Sequence, residues 1–459
     1  MTLTIQHFPP PPPLMPPLSR NVAVIGAGSA GIVSARELHR KGHKVTVFEK
    51  RNQLGGTWVY TPEIEPDPIG INPGRKIIHS SLYSSLRTNL PREVMGFRDY
   101  PFVSTRKPGR DDRRFPGHVE VLEYLREFSC EFGVDGLVRF GTEVCHVGRD
   151  DDGKWLVKSR TRGDDDEEVF DAVVVCNGHY TEPRIADIPG IHSWPGKQIH
   201  SHNYRSPEAF QGQVVVLIGS ANSADDISRE ISNVAKEVHI ASRSVDNGFV
   251  QKISSHDNLW LRSMIKSVHD DGAVTFEDGG TIYADVILYC TGYKYHFPFL
   301  DTNEIVTVDD NRVGPLYKHV FPPMLAPWLS FVGLPWKVIP FPLCELQSKW
   351  IASVLSGQVS LPSADDMMAD VEAFYSSMEA SSVPKRYTHN MSDYQFDYDD
   401  WLAEQCGCSL TEEWRKEMYS LTSKRKRAQP ETYRDKWDDE EWLSLAQQDF
   451  IKYLSNMSL

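Results

Sequence analysis

The chain has 459 residues, enough for two or three domains at about 150 residues each. Hydrophobic residues make up 40% and charged residues 24%, while 49 Lys+Arg against 63 Asp+Glu leave a net charge of -14. A sizeable core is available, and that acidic balance excludes nucleic acid or an anionic membrane surface as the main partner.

Residues 1–19 carry Pro9 to Pro13 where a secretory signal needs an apolar stretch, so they read as a flexible polyproline lead-in. Asn21 to Ile25 is an apolar run fit for a strand buried on both faces, and it enters Gly26-Ala27-Gly28-Ser29-Ala30-Gly31 directly. Ile32, Ala35 and Leu38 recur at helical spacing, Gly42 ends that helix, and Lys44 to Phe48 is a second strand closing on Glu49. Each residue type in this turn has a use. Gly26 permits the tight bend, Gly28 lets backbone approach a pyrophosphate, and Gly31 lets helix and strand pack closely. Ala27, Ser29 and Ala30 complete a turn whose N–H groups face the phosphates at the helix start. Glu49 is placed to accept from a ribose 2′-OH and to repel a 2′-phosphate, which favours FAD or NAD at this site.

Acidic clusters at Asp150 to Asp152 and Asp164 to Glu168 flank Lys154 to Arg160, the pattern of a polar-tipped hairpin. Val173 to Asn177 is a further strand, and the Pro-, His- and Gly-rich stretch 180–212 reads as a connector. A second strand–turn–helix unit follows. Val214 to Ile218 enters Gly219-Ser220-Ala221-Asn222-Ser223-Ala224; Ile227, Ile231 and Val234 mark a helix face, and Val238 to Ala241 the next strand. Ser242-Arg243 stands where the first unit has its acid, and a cation there accommodates a 2′-phosphate, so the second nucleotide is expected to be NADP(H). Asp285 to Tyr289 is another short strand. The long apolar stretch Pro323 to Leu343 holds Pro327, Pro335, Pro340, Pro342 and Lys337, which fits a buried, loop-rich segment and not a spanning helix. Beyond Ser360 the pattern is helical and charged, with Trp401, Trp414, Trp437 and Trp442 as packing anchors and Lys424 to Arg427 as a solvated basic face.

Seven cysteines form no CxxC pair, and Cys406-Gly407-Cys408 has no nearby His or Cys to complete a metal site, so no metal is expected and the thiols read as reduced, in a cytoplasmic protein. The fold class is α/β, with two Rossmann-like dinucleotide-binding domains and the NADP domain inserted in the FAD domain. The expected boundaries are 1–19 lead-in, 20–178 first FAD part, 179–287 NADP domain, and 288–459 second FAD part with a C-terminal helical region. A flavin beside NADPH without a redox-active cysteine pair leaves electron transfer to another acceptor, or oxygen activation.

Five ordered motifs then resemble the flavin-containing monooxygenase family. Glu49 with Leu54-Gly55-Gly56-Thr57-Trp58 is similar to its ExxxxxGGxW element. Leu86-Arg87-Thr88-Asn89-Leu90 resembles its TNL segment, and Trp194 to Tyr204 its FxGxxxHSxxY fingerprint, with Trp for Phe. Tyr289-Cys290-Thr291-Gly292-Tyr293 resembles ATGY, and Phe331 to Pro335 with Pro340-Phe341-Pro342 resembles GLP…PFP. The stretches Arg87 to Arg92, Cys176 to Tyr180 and Gln198 to Arg205 point to the plant branch that S-oxygenates thioethers.

The resemblance implies that NADPH reduces FAD, that O2 adds to give a C4a-hydroperoxyflavin, and that a thioether sulfur, of an S-alk(en)yl-cysteine derivative or a methylthioalkyl glucosinolate, takes the distal oxygen. It implies flavin contacts from Leu54, Gly56 and Trp58, an adenine contact from the backbone of Val144, and no membrane anchor. It places Asn89 over the flavin, where its amide both donates and accepts; the alternative is an Asn capping the turn before Pro91. Arg205 and Arg243 are candidates for the NADP phosphate or for rim charges, and His200 is either an acid or a structural histidine between domains. Two other activities stay open: an indole-pyruvate-type or Baeyer–Villiger oxygenase, and a protein that holds FAD as a redox sensor without turnover.

Overall fold

A computed structural model describes residues 18–454 apart from residues 76, 77, 106, 247 and 254. Most of the expected lead-in 1–19 therefore lies outside the described residues. Strand β1 (Asn21–Ile25), helix α1 (Ser29–Arg40) and strand β2 (Lys44–Glu49) form the first βαβ start, and β1 and β2 pair in parallel from Asn21 opposite Lys44 to Ile25 opposite Phe48. Helix α2 (His118–Glu131) leads to β3 (Val138–Phe140) on the far side of β2. Strands β4 (Thr142–Arg149), β5 (Trp155–Thr161) and β6 (Asp164–Phe170) make a three-stranded antiparallel sheet. The second acidic cluster is thus an edge strand and not the flank of a two-stranded hairpin. Its carboxylates meet cations on β3 and β5, with Glu167 2.7 Å from Lys158 Nζ and Asp165 2.7 Å from Arg160 Nε, and charge on an open edge resists pairing with another chain.

Strand β7 (Ala172–Val175) returns beside β1. Then the chain leaves the first sheet to build the second. Strands β8 (Lys197–His200), β9 (Val214–Ile218), β10 (Glu237–Ala241), β11 (Val250–Lys252), β12 (Leu259–Arg262) and β13 (Val286–Tyr289) assemble in the order β11-β12-β10-β9-β13-β8, all parallel except β11. Helix α3 (Asn222–Ser232) follows β9. Afterwards β14 (Leu329–Phe331) completes the first sheet in the order β14-β7-β1-β2-β3, so the second nucleotide-binding unit is inserted between two strands of the first. The central strands of both sheets are buried, β1 from Val22 onward and β9 throughout, as their apolar runs require.

The stretch 323–343 is more ordered than expected: it supplies β14 and the start of helix α4 (Pro340–Leu355), with proline at the first helical turn, where its missing N–H costs nothing. Helices α5 (Ala364–Ala380), α6 (Gln395–Cys406), α7 (Glu413–Ala428) and α8 (Glu440–Leu454) fill the C-terminal region. Trp401 packs edge-on to Trp350 at 5.1 Å and Trp414 to Phe450 at 5.4 Å. Trp437 differs from expectation: it is 41% exposed and covers the Arg114 guanidinium at 5.0 Å instead of entering a core. No helix among the described residues is long and apolar enough to cross a membrane.

Candidate active site

The two phosphate turns are built alike. Gly26 (φ +103°) donates its N–H to Phe48 O at 2.8 Å, and Gly219 (φ +108°) donates to Ala241 O at 2.9 Å. A Cβ at Gly26 would stand 2.6 Å from Cys176 O, and one at Gly219 2.6 Å from Cys290 O. The two cysteines therefore serve as small residues whose carbonyls press on the turns, and burial pushes both thiols up to about 12, far from reactivity. A Cβ at Gly31 would stand 1.8 Å from Gly26 O, so only glycine lets α1 start against the turn.

Gly28 and Ala221 are the N-caps of α1 and α3, and neither helix start has a side-chain cap. Each leaves first-turn N–H groups with no hydrogen-bond partner among the described residues, which suits a pyrophosphate. Gly28 also faces Gly56: a Cβ on Gly56 would lie 2.9 Å from Gly28 Cα, and Gly55 N–H donates to Ala27 O at 2.9 Å. The Leu54–Trp58 element is thereby fastened to the first turn by backbone alone, with Leu54 buried. Glu49 ends β2 with one carboxylate oxygen on Ala27 N–H and the other on Arg51 N–H, both at 2.9 Å, so it braces the turn as well as standing where a ribose would come. Ser29 and Ala30 open α1, and Gly333 of the Phe331–Pro335 loop abuts Ala30. Trp58 is half-buried, edge-on to Phe341 at 6.4 Å. Val144 sits at an irregularity in the β4–β5 register. These uncapped helix starts and glycine contacts fit two dinucleotides.

At the second turn Ser220, Ala221, Asn222 and Ser223 are exposed and Ala224 is buried at the base of α3. Ser220 Oγ is 2.7 Å from Ser242 Oγ and 3.1 Å from Ser244 Oγ, a hydroxyl cluster that sequence reasoning passed over. Arg243 lies between those two serines, exposed and with no ion-pair partner among the described residues. Arg205 contradicts its expected role. It is buried, and its guanidinium donates to five carbonyls, those of Thr61, Glu63, His202, Tyr204 and Ser80, so it is committed to main chain on every nitrogen. It is a structural tie between the fingerprint and the loop after Trp58.

His200 is likewise structural. It is fully buried, its Nδ1 accepts from His202 N–H at 3.0 Å, and its Nε2 donates to Gly292 O at 3.1 Å. Burial, with His202 beside it, pushes its pKa down to about 3, so the ring is a neutral brace between β8 and the Gly292 turn.

Asn89 follows Thr88, whose backbone Arg434 ties to the second unit. Thr88 N–H donates to Pro116 O at 2.9 Å and Thr88 O accepts from Arg434 Nε at 3.0 Å, so the backbone before it is held from both sides. Asn89 itself is exposed, and its amide has no hydrogen-bond partner among the described residues. The short helix Arg92–Met95 begins at Pro91 without a side-chain cap, so Asn89 does not serve as one. Arg434 also makes two bonds to Asp226 on α3, at 3.1 and 2.7 Å. The C-terminal region thus reaches the site, a role its sequence did not signal.

The flavin-binding monooxygenase-like family profile matches residues 19–260 and 256–411. The chain belongs to that family. It is 60% identical over 450 residues to Arabidopsis thaliana flavin-containing monooxygenase FMO GS-OX-like 5, covering 96% of this chain and 99% of the relative. It is 57% identical over 437 residues to A. thaliana FMO GS-OX5, covering 95% of each. The solved structure of S-allyl-L-cysteine S-oxygenase from Allium sativum superposes with a TM-score of 0.93 at 62% identity, covering 95% of this chain and 100% of that one. The enzyme is an FAD- and NADPH-dependent monooxygenase of the plant S-oxygenating branch.

Proposed function

We infer that this monooxygenase transfers one oxygen atom of O2 to the sulfur of small thioethers, S-alk(en)yl-cysteine derivatives or methylthioalkyl glucosinolates, giving sulfoxides. The observation that carries the reading is Asn89, an exposed neutral amide with no hydrogen-bond partner among the described residues, next to backbone that Arg434 ties to α3 of the second nucleotide unit, with the fingerprint histidine locked neutral beside Gly292. Oxygen transfer to a soft, nucleophilic sulfur needs positioning and exclusion of water more than it needs a proton from a strong acid. The S-oxygenase named above supports the same chemistry.

In this reading FAD sits on the Gly26 turn, with Ala27, Gly28, Ser29, Ala30 and Gly31 against its pyrophosphate, Glu49 at its ribose, Val144 near its adenine, and Leu54, Gly56 and Trp58 along its body. NADPH sits on the Gly219 turn, with Arg243 at its 2′-phosphate. When bound, FAD supplies redox chemistry and oxygen activation. Asn89 donates from Nδ2 and accepts at Oδ1, orienting oxygen and nicotinamide without adding a charge that would draw water. Residues 20–178, 179–287 and 288–459 divide the chain accordingly, and the enzyme works in the cytoplasm.

The test is a mass-resolved product screen with NADPH, air and matched panels of thioethers, cyclic ketones and indole pyruvate. Sulfoxides with one NADPH consumed per product support the reading. Lactones, or indole acetate, assign the Baeyer–Villiger or indole-pyruvate alternative, and bound FAD that never bleaches with NADPH assigns the sensor.

A further inference from the structure

Helix α3 begins with a charge problem. Its first two turns carry Asp225 and Asp226, two carboxylates beside the place where NADPH would bring its pyrophosphate. Each acid is answered. Arg229 lies 3.0 Å from Asp225, and Arg434 grips Asp226, which also accepts from Tyr83 Oη at 3.2 Å. Arg229 is held in turn by Glu431, and Arg425 by Asp438, so these cations are spent.

Lys426 is not. It comes from α7, more than 200 residues away in sequence, and its Nζ donates to Asn222 Oδ1 at 2.7 Å, at the first residue of α3. That partner is a neutral amide, and no carboxylate pairs with Lys426 among the described residues. The side chain is half-buried and lies 5.7 Å over the Tyr433 ring, which fixes its approach. A half-buried ammonium that hydrogen-bonds a neutral amide at a helix start, with Asp226 and Asp225 near it but outside ion-pair distance, is a phosphate-binding arrangement.

We propose that Lys426 is a ligand of the NADPH pyrophosphate, supplied by the C-terminal helical region to complete the second nucleotide site. The proposal rests on NADPH seating at the Gly219 turn. It gives residues 413–434 a function beyond packing: Arg434 and Arg229 answer the acids of α3, and Lys426 is a cation at that helix start with no ion pair among the described residues. Lys426 is also distinct in what it reads, because the pyrophosphate is common to NADPH and NADH whereas Arg243 stands at the 2′-phosphate end.

The test is equilibrium binding of NADP+, NAD+ and 2′-AMP to the oxidised, FAD-loaded enzyme, read by calorimetry. In Lys426→Gln, losing a charge-assisted contact should weaken NADP+ and NAD+ alike by about ten-fold or more, leave 2′-AMP unchanged, and flatten the salt dependence. Lys426→Arg should restore most of the affinity. Flavin content and thermal midpoint equal to wild type show that the variant is folded, and Lys426→Met repeats the test with the stem preserved. Unchanged NADP+ and NAD+ affinity overturns the proposal, as does a loss confined to NADP+. Ser220→Glu separates the two levels. If it abolishes NADP+ binding while Lys426→Gln does not weaken it, only the Lys426 assignment fails; if it leaves NADP+ binding intact, the seating at Gly219 fails.

Discussion

Replacing Gly28 with alanine separates the cofactor cradle from the fold. Gly28 has φ -75° and ψ -174°, backbone that alanine adopts freely, and a Cβ there would stand 3.5 Å from Gly56 Cα, an ordinary contact. The apoprotein should lose nothing, and a less flexible unfolded chain adds about 0.4–1 kcal/mol of stability. The same methyl occupies the approach of a pyrophosphate to the unpaired N–H groups of α1. Displacing two charge-assisted hydrogen bonds, at roughly 1.5–3 kcal/mol each, removes about 3–6 kcal/mol of binding. That is roughly two to four orders of magnitude in the FAD dissociation constant. The assay pairs flavin-to-protein ratio after gel filtration with thermal unfolding of the apoprotein. Gly31→Ala is the contrast, since a Cβ 1.8 Å from Gly26 O should prevent folding altogether. A Gly28→Ala enzyme that keeps its flavin with an unchanged dissociation constant would refute the seating of FAD on this turn.

Asn89→Ala should keep FAD and its reduction by NADPH but release H2O2 in place of sulfoxide; peroxide measured against NADPH consumed checks this, and unchanged coupling removes Asn89 from the mechanism. Arg243→Ala should weaken NADPH more than NADH, whereas Arg205→Ala, which strands five carbonyls, should lower stability by at least about 3 kcal/mol without selecting between the two. Paired titrations and melts would show the reverse if Arg205 reads the phosphate. Asp399 is buried, its Oδ1 has no hydrogen-bond partner among the described residues, and burial pushes its carboxyl up to about 8. The folded state then holds a proton that the unfolded state releases, so this residue costs stability progressively as pH rises from about 4 to about 8. Asp399→Asn should raise the thermal midpoint at about pH 8 and change it little near about pH 4; an equal shift at both would contradict the assignment.

Much of this was legible because βαβ starts are local. Gly26, Gly28, Gly31 and Glu49 lie within one short stretch whose apolar periodicity fixes strand and helix, and the decayed glycines of the second unit were read from the same periodicity. Arg205, open in sequence between the NADP phosphate and a rim charge, is neither, for a physical reason: a cation in a fingerprint looks the same whether it faces a phosphate or main-chain carbonyls, and the carbonyls of Thr61, Glu63 and Ser80 belong to a loop with no motif. His200 stayed undecided in sequence because its state is set by Gly292 O and His202 N–H, neither a side chain. Charge in the second acidic cluster suggests the flank of a hairpin tip, yet an edge strand carries charge equally well. Lys426 and Arg434 were invisible because their contacts with Asn222 and Asp226 span more than 200 positions.

The proposed chemistry is passage of oxygen from O2 to a thioether sulfur, with FAD on the Gly26 turn and NADPH on the Gly219 turn. The most direct measurement is turnover of S-allyl-L-cysteine under isotopically heavy O2 in ordinary water, with NADPH consumption followed in parallel. One heavy oxygen in each sulfoxide and one NADPH per product are the expected result. Sulfoxide carrying oxygen from water, or heavy O2 recovered only as peroxide across the whole thioether panel, would contradict it.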